Sequence, residues 1–205
     1  DQLALQNVQG FSLRDVVSQD GGENGIVIVR GSRDGIVRNI TVSGADGHGL
    51  QIGGGGVAAT VDDPGFLAKG AEVRGGQSGA HARVEQIRGN RVWLSRLTQR
   101  QLTPGEELWS AGQRSVIRDL EFCRNISVTG LRAFGNGQNV ANARGLFADL
   151  YISHAEDISV EGINLETPPD GVPILVNNSR RIPCELPSRA GVIRARRTGE
   201  VICAG

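Results

Sequence analysis

The chain has 205 residues, with 22 basic side chains against 22 acidic ones and 30 glycines. Its length is enough for one sizeable domain or two small ones. A formal net charge of zero provides no overall field that would draw the chain to nucleic acid or to an anionic membrane. The longest purely aliphatic stretch, Ile26 to Val29, is far too short to span a bilayer. These properties argue against a nucleic-acid-binding protein and against membrane insertion.

A short pattern of Asn or Asp followed by apolar, polar and apolar residues recurs along the chain. It begins in degraded form at Asp15 and returns at Asn39, Asn125 and Asp157. Segments 38–44 and 124–130 are identical at five of seven positions. The alternation predicts a short β-strand in each copy. The repeated Asn or Asp predicts a corner, where a short polar side chain tolerates left-handed backbone angles and bonds the backbone.

Each copy precedes a second short unit, at 24–28, 48–52, 144–148 and 170–174. The spacings from Asp15 to Asn39 and from Asn125 to Asp157 leave room in each repeat for two or three short strands and for no helix of ordinary length. Stacked coils would bury their apolar residues in one column and pair as parallel strands. The sequence resembles an all-β, right-handed parallel β-helix, the fold of pectate lyases and phage tailspikes.

An insert interrupts the repeat between Asn39 and Asn125. We place it at 57–111 as a small β-hairpin or barrel-like module, which leaves 1–56 and 112–205 to the parallel β-helix. Inside it, 80–84, 92–94 and 107–109 predict short strands, with Gly89 and Asn90 as a hairpin turn. Segments 75–84, 89–94 and 105–106 read Gly-Gly-x-Ser-Gly-Ala-x-Ala-x-Val, Gly-Asn-x-Val-x-Leu and Gly-Glu. This pattern resembles a small β module of phage structural proteins and so points to a phage or phage-like origin.

Both tryptophans of the chain, Trp93 and Trp109, lie in this insert. One interpretation makes them an exposed platform on which sugars stack. The other makes them the core of a small module that has few other large side chains. The sequence leaves both interpretations open.

Outward-facing strand residues provide the chemistry of a β-helix, because the inward ones fill its column. In segment 145–151, strand alternation predicts that Phe147, Asp149 and Tyr151 face outward. Aromatic rings stack on sugars and a carboxylate accepts hydrogen bonds from hydroxyls, so this stripe suits a carbohydrate. Aromatic residues are also favoured at subunit interfaces, so a neighbouring chain is the alternative occupant.

Catalytic candidates are Asp149, Glu161 and His48. Glycoside hydrolysis normally needs two carboxyl groups, and none lines up with Asp149, although Glu161 and Asp170 are possible partners. The segment from Gly47 to Gly49 resembles the Gly-His-Gly segment of polygalacturonase-type glycoside hydrolases, in which the His assists the catalytic carboxylates. That family's other motifs are absent, and a surface turn is the alternative role for His48.

The three cysteines form no CxxC motif and have no His at ligand spacing, so no metal site and no cofactor is predicted. All three are expected to be buried free thiols. Cys184 and Cys203 both lie in the Pro- and Arg-rich final segment of the chain and could form a disulfide if the protein is extracellular.

The resemblance implies a spike or fibre component of a phage or phage-like particle that binds host cell-surface polysaccharide. A homotrimer, contact with other virion proteins, and a virion-surface or extracellular location come with that expectation. Two alternatives stay open: a polysaccharide depolymerase of lyase, hydrolase or epimerase type, and a structural adaptor of a virion. The fold alone does not choose among them.

Overall fold

A computed structural model describes residues 1–54, 56–95, 102–137, 147–166, 172–177, 179–185, 193–196 and 201–204. Its strands form two parallel sheets and one closed antiparallel barrel. The chain divides into two compact units, one made of Asp1–Gly53 with Cys123–Gly205 and the other of Gly54–Phe122. No helix in the described ranges is long and apolar enough to cross a membrane.

The first unit contains both parallel sheets. In spatial order the first sheet consists of β1 (Leu3–Gln6), β4 (Ile26–Val29), β6 (Leu50–Gly53), β14 (Ala148–Ser153), β17 (Val172–Asn177) and β19 (Ile193–Arg196). The second sheet consists of β2 (Gln9–Arg14), β5 (Arg33–Ser43), β13 (Cys123–Phe134), β15 (Ala155–Glu161), β18 (Ile182–Glu185) and β20 (Val201–Ala204), with β3 (Val17–Gln19) beside β5 and β16 (Asn164–Leu165) beside β13. In chain order the strands pass from one sheet to the other and back.

One buried cluster fills the space between these sheets. Ile28, Ile52 and Ile152 are register partners on β4, β6 and β14, and each is at most 1% exposed. Ile126 and Ile158 are partners in the second sheet and belong to the same cluster. Burying an isoleucine side chain contributes about 1.5–3 kcal/mol, so this column is the main source of the unit's stability.

The predicted corner residues all have left-handed backbone angles. Asp15, Asn39, Asn125 and Asp157 have φ between 52° and 54°. They do not form a single stack, however. The Asn39 amide donates to the Asp15 carboxylate at 3.1 Å, whereas the Asn125 amide donates to Asp34 at 2.8 Å.

The corner residues form two stacks, one with Asp15 and Asn39 and one with Asp34 and Asn125. This is possible because left-handed residues recur every five positions along β5 and β13. Along β5 and just beyond it these residues are Asp34, Asn39 and Gly44, and along β13 they are Asn125, Gly130 and Gly135. The register places Arg124 opposite Arg33 and Ile126 opposite Gly35, which sets Asn125 beside Asp34. Segments 38–44 and 124–130 therefore have the same local conformation. In the sheet, however, 124–130 lies beside 33–39 and not beside 38–44, so the register is shifted by five residues.

The second unit is a closed barrel with its own core. Its strands are β7 (Val57–Val61), β8 (Glu72–Gly75), β9 (His81–Arg88), β10 (Arg91–Leu94), β11 (Glu107–Ser110) and β12 (Gln113–Glu121), closed in the order β10-β7-β12-β11-β8-β9. The Gly89–Asn90 hairpin is confirmed, since Arg88 and Arg91 are register partners. The boundary expected at 111 falls within a second hairpin, because Ser110 pairs with Gln113 and β12 continues onto β7.

A buried glutamate ties two turns of the barrel together. Glu106 is 1% exposed. Its carboxylate accepts the backbone N–H groups of Gln77 at 3.2 Å, Ser78 at 3.0 Å and Thr103 at 2.5 Å. This network gives a structural reason for the Gly-Gly-x-Ser and Gly-Glu elements of the sequence pattern.

Cys123 is buried, as expected, and burial raises the pKa of its thiol to about 11. Cys184 and Cys203 are register partners on the neighbouring strands β18 and β20. Their side chains lie outside the described part of the structure, so the disulfide stays a prediction.

Candidate functional site

Three half-buried aromatic side chains meet beside β6 and β14, the two central strands of the first sheet. The rings of His48 and Tyr151 are stacked, with centroids 4.3 Å apart and an angle of 25° between their planes. Phe147 meets His48 edge-on at 5.7 Å. We call these three residues the aromatic cluster. It joins two residues of the predicted stripe to the histidine of the Gly-His-Gly segment.

Strand alternation and turn hydrogen bonds position the aromatic cluster. Tyr151 lies between the core residues Leu150 and Ile152, so its ring is on the other side of β14 from the core. His48 lies in the turn before β6, and its Nδ1 accepts the backbone N–H of Ala148 at 3.1 Å. This hydrogen bond leaves the proton of a neutral imidazole on Nε2. The histidine is therefore fixed in position and tautomer.

The position of Asp149 corrects the sequence analysis. Its side chain is 0% exposed, so the prediction that it meets solvent is wrong. Its Oδ1 accepts from the Asn136 amide at 2.6 Å, and the Asn136 oxygen accepts the Ala45 N–H at 3.1 Å. Its Oδ2 has no hydrogen-bond partner among the described residues. Ala148 packs with Tyr151 and Leu175, whereas Leu150 belongs to the main core, so strict alternation does not hold at the start of β14.

The Asp149 carboxyl group has an unusual proton affinity. Its pKa is raised to about 6, chiefly by burial and also by the negative charge of Glu166, against the opposing hydrogen bonds from the Asn136 side chain and the Glu166 backbone. Glu166 follows β16, and its N–H donates to the Ala133 carbonyl at 3.0 Å. Sequence reasoning missed Asn136 and Glu166, because neither belongs to a repeated pattern and only the fold brings them near Asp149.

The other catalytic candidates are placed differently. Glu161 is exposed at the end of β15, in the second sheet, where Thr129 is its register partner. The structure thus does not join it to Asp149, which lies in the first sheet. Asp170 lies outside the described residues. Within those residues no group of three or more His, Cys, Asp and Glu side chains is arranged to hold a metal ion.

The two tryptophans of the barrel differ in burial. Trp93 is only 8% exposed, as a core role predicts, although it alternates with Val92 and Leu94 of the barrel's main buried cluster and is not part of that cluster. The Arg91 guanidinium lies over its ring, 4.5 Å from the centroid. Trp109 is half-buried and next to the core residue Leu108. Burial thus favours a structural role for Trp93, and a ligand-binding role stays a prediction for Trp109.

No protein-family model and no curated protein matches the chain. The resemblances to β-helical spikes and to a phage β module thus remain expectations from the sequence.

Proposed function

We propose that the chain is a polysaccharide-recognition component of a phage or phage-like spike, built on a right-handed parallel β-helix. The passage of strands between two parallel sheets supports this fold. So does a register in which Val27 pairs with Gln51, its equivalent in the next copy of the sequence repeat. The single inward cluster of isoleucines, leucines and valines supports it as well.

The aromatic cluster carries the functional part of the proposal. The stacked His48 and Tyr151 rings and the Phe147 edge give a partly exposed apolar surface of the kind that packs on the faces of sugars. The Tyr151 hydroxyl adds a polar group that suits sugar hydroxyls. The combination of a flat apolar surface with a few fixed polar groups is typical of small-ligand sites.

Neighbouring residues hold this surface in place. Tyr151 has Gln51 and Leu175 as register partners on either side. The Asn177 amide donates to the Tyr151 hydroxyl at 3.4 Å, and the Gln51 amide donates to the Gly53 carbonyl at 2.9 Å. A ring fixed before binding loses little conformational freedom on binding, so the arrangement favours affinity.

A binding assay on intact protein tests the proposal. Wild type and Tyr151→Ala are measured against a panel of bacterial capsular and exopolysaccharides. We expect a loss of affinity of at least fivefold for Tyr151→Ala, because one stacked ring is removed. Phe134→Ala is the matched control, since Phe134 is an exposed aromatic residue of the second sheet, and it should bind like wild type. Equal binding by Tyr151→Ala, or binding to no polysaccharide, contradicts the proposal.

A depolymerase is the second candidate, favoured by the raised pKa of Asp149 beside the charge of Glu166. A carboxyl group with a pKa of about 6 is protonated in a larger fraction of molecules near neutral pH than an ordinary one, and so is better suited to act as a general acid. Its complete burial, however, keeps it from a substrate in this structure, which favours recognition over catalysis. Release of new reducing ends by wild type, abolished in both Asp149→Asn and Glu166→Gln, would establish the enzyme.

The spike assignment further proposes a homotrimer at the virion surface. Sedimentation equilibrium of the purified chain tests the trimer, and a purely monomeric protein at micromolar concentration contradicts it. Antibody labelling of particles tests the location.

A further inference from the structure

The outside of the barrel carries a row of basic and aromatic side chains. The row is made of direct register partners on the adjacent strands β9, β8, β11 and β12, namely His81, Arg74, Trp109 and Arg114. Direct partners in antiparallel strands project their side chains on the same face. The adjacent residues Val73 and Leu108 belong to the barrel core, so the row faces away from the core. Three strand spacings give it a length of about 14 Å.

Arg74 differs from the neighbouring arginines. Arg83 pairs with Glu72 at 3.2 Å, and Arg114 pairs with Glu107 at 2.5 Å. The exposed Arg74 side chain makes no hydrogen bond or ion pair with any residue in the described part of the chain. A guanidinium is always charged and presents its donors in a fork that matches a carboxylate. Arg74 thus holds an uncompensated positive charge beside an indole.

The Trp109 indole is fixed and partly open. Its Nε1 donates to the Glu107 carboxylate at 3.1 Å, and the Arg114 guanidinium lies 5.3 Å from the ring centroid. The exposed Gly76 lies at the Nε1 edge, where a Cβ atom would be 3.0 Å from that nitrogen. Glycine therefore places no side chain against the ring, whereas a Cβ atom at this position would be in tight contact with it.

We propose that Arg74 and Trp109 form a binding subsite for an acidic sugar residue, a uronic acid within an oligosaccharide. The guanidinium would bind the sugar carboxylate through two parallel hydrogen bonds, and the indole would contact the apolar face of the ring. The zero net charge of the chain favours a carbohydrate over a nucleic acid, which requires many basic contacts along its backbone. This subsite lies in the other unit from the aromatic cluster, and its ligand is proposed independently of that cluster.

The test uses the full chain and isothermal titration with a set of oligosaccharides built on galacturonate, glucuronate or mannuronate. Each is compared with its methyl ester, which keeps the sugar chain and removes the charge. We expect wild type to bind at least one acid and to lose at least tenfold in affinity with the ester. Arg74→Gln should lose at least tenfold for the acid. Arg83→Gln, which changes an exposed arginine already paired with Glu72, should stay within twofold of wild type.

Several results would overturn the subsite. Equal affinity of Arg74→Gln and wild type for the acid would do so, as would equal affinity for acid and ester or no binding to any acid. Tighter binding of oligothymidylate than of the acids would assign the row to single-stranded nucleic acid instead. Tyr151→Ala should retain the Arg74-dependent binding, so failure here is distinguishable from failure of the aromatic cluster.

Discussion

The two units use β-structure in opposite ways. In the sheet unit the described strands pair in parallel with separate passages of the chain, such as Ile182 with Val201. In the barrel, β9 with β10 and β11 with β12 are antiparallel hairpins with two-residue turns. Hairpin register is set by the turn, whereas the register of distant parallel strands is set by which side chains fit the shared core.

Polar residues therefore have different structural roles in the two units. The sheet unit places Asn and Asp at left-handed corners, where they bond the equivalent corner of the neighbouring passage, as Asn125 does with Asp34. The barrel instead buries Glu106, which gathers backbone N–H groups from two turns. Corner hydrogen bonds recur along the sheet unit, whereas the Glu106 carboxylate holds two turns of the barrel at once. Substitutions should therefore have unequal effects in the two units.

The largest effects should come from the two separate cores. Leu108→Ala in the barrel and Leu150→Ala in the sheets should each lower the free energy of unfolding by about 2–5 kcal/mol, because each leaves a cavity in a fully buried cluster. Hydrogen exchange should increase chiefly in the substituted unit. Val17→Ala is the control, since Val17 is 64% exposed, and it should have little effect. Equal increases throughout the chain for either substitution would contradict two independent cores.

The next largest effect is a difference in stability between substitutions at Glu106 and at its sequence neighbour Glu107. Glu106→Ala should destabilise the barrel by about 3 kcal/mol, because three backbone N–H groups lose their acceptor. Glu107→Ala should cost less than about 1 kcal/mol, because it breaks only a surface ion pair and one indole hydrogen bond. Chemical denaturation measures both, and equal costs would argue against the role given to Glu106.

Asp149 should make stability depend on pH. Its folded pKa of about 6 lies above the ordinary value of 3.8, so its contribution is fully present below about pH 4 and is lost as pH rises towards 6. The loss amounts to at most about 3 kcal/mol. Asp149→Asn removes the charge, so it should be more stable than wild type at pH 8 and similar to it at pH 4. A pH-independent difference between the two proteins would contradict this account.

How well the sequence predicts each structural feature depends on how far apart along the chain the interacting residues lie. The Gly89–Asn90 hairpin and the left-handed angles of Asn39 and Asn125 follow from local residue chemistry, and both are confirmed. The closure of the barrel by β12 on β7 was not predicted, because it joins the first strand of the barrel to the last. No local pattern in either segment specifies the other.

The candidate site shows the same limit. Alternation along β14 correctly separated Tyr151 from the core residues Leu150 and Ile152. It did not predict the burial of Asp149, which depends on residues that the fold brings from elsewhere. The stacking of His48 on Tyr151 joins residues that lie on either side of the whole barrel in the sequence, so the sequence offered each as a candidate but not the pair.

The prediction with the smallest expected effect tests which corner residues are neighbours in the sheet. The hydrogen bond from Asn125 holds the pKa of Asp34 below its ordinary value. Asn125→Gly keeps the left-handed backbone without strain but removes this donor, so the pKa of Asp34 should rise in a carbon-detected NMR titration. Asn39→Gly should leave that pKa unchanged, because Asn39 donates to Asp15 instead. If Asn39→Gly shifted Asp34 and Asn125→Gly did not, the sequence repeat would describe the register better than the two separate stacks. The outcome expected here would mean that the sequence repeat determines the backbone conformation, whereas packing in the core determines the strand register.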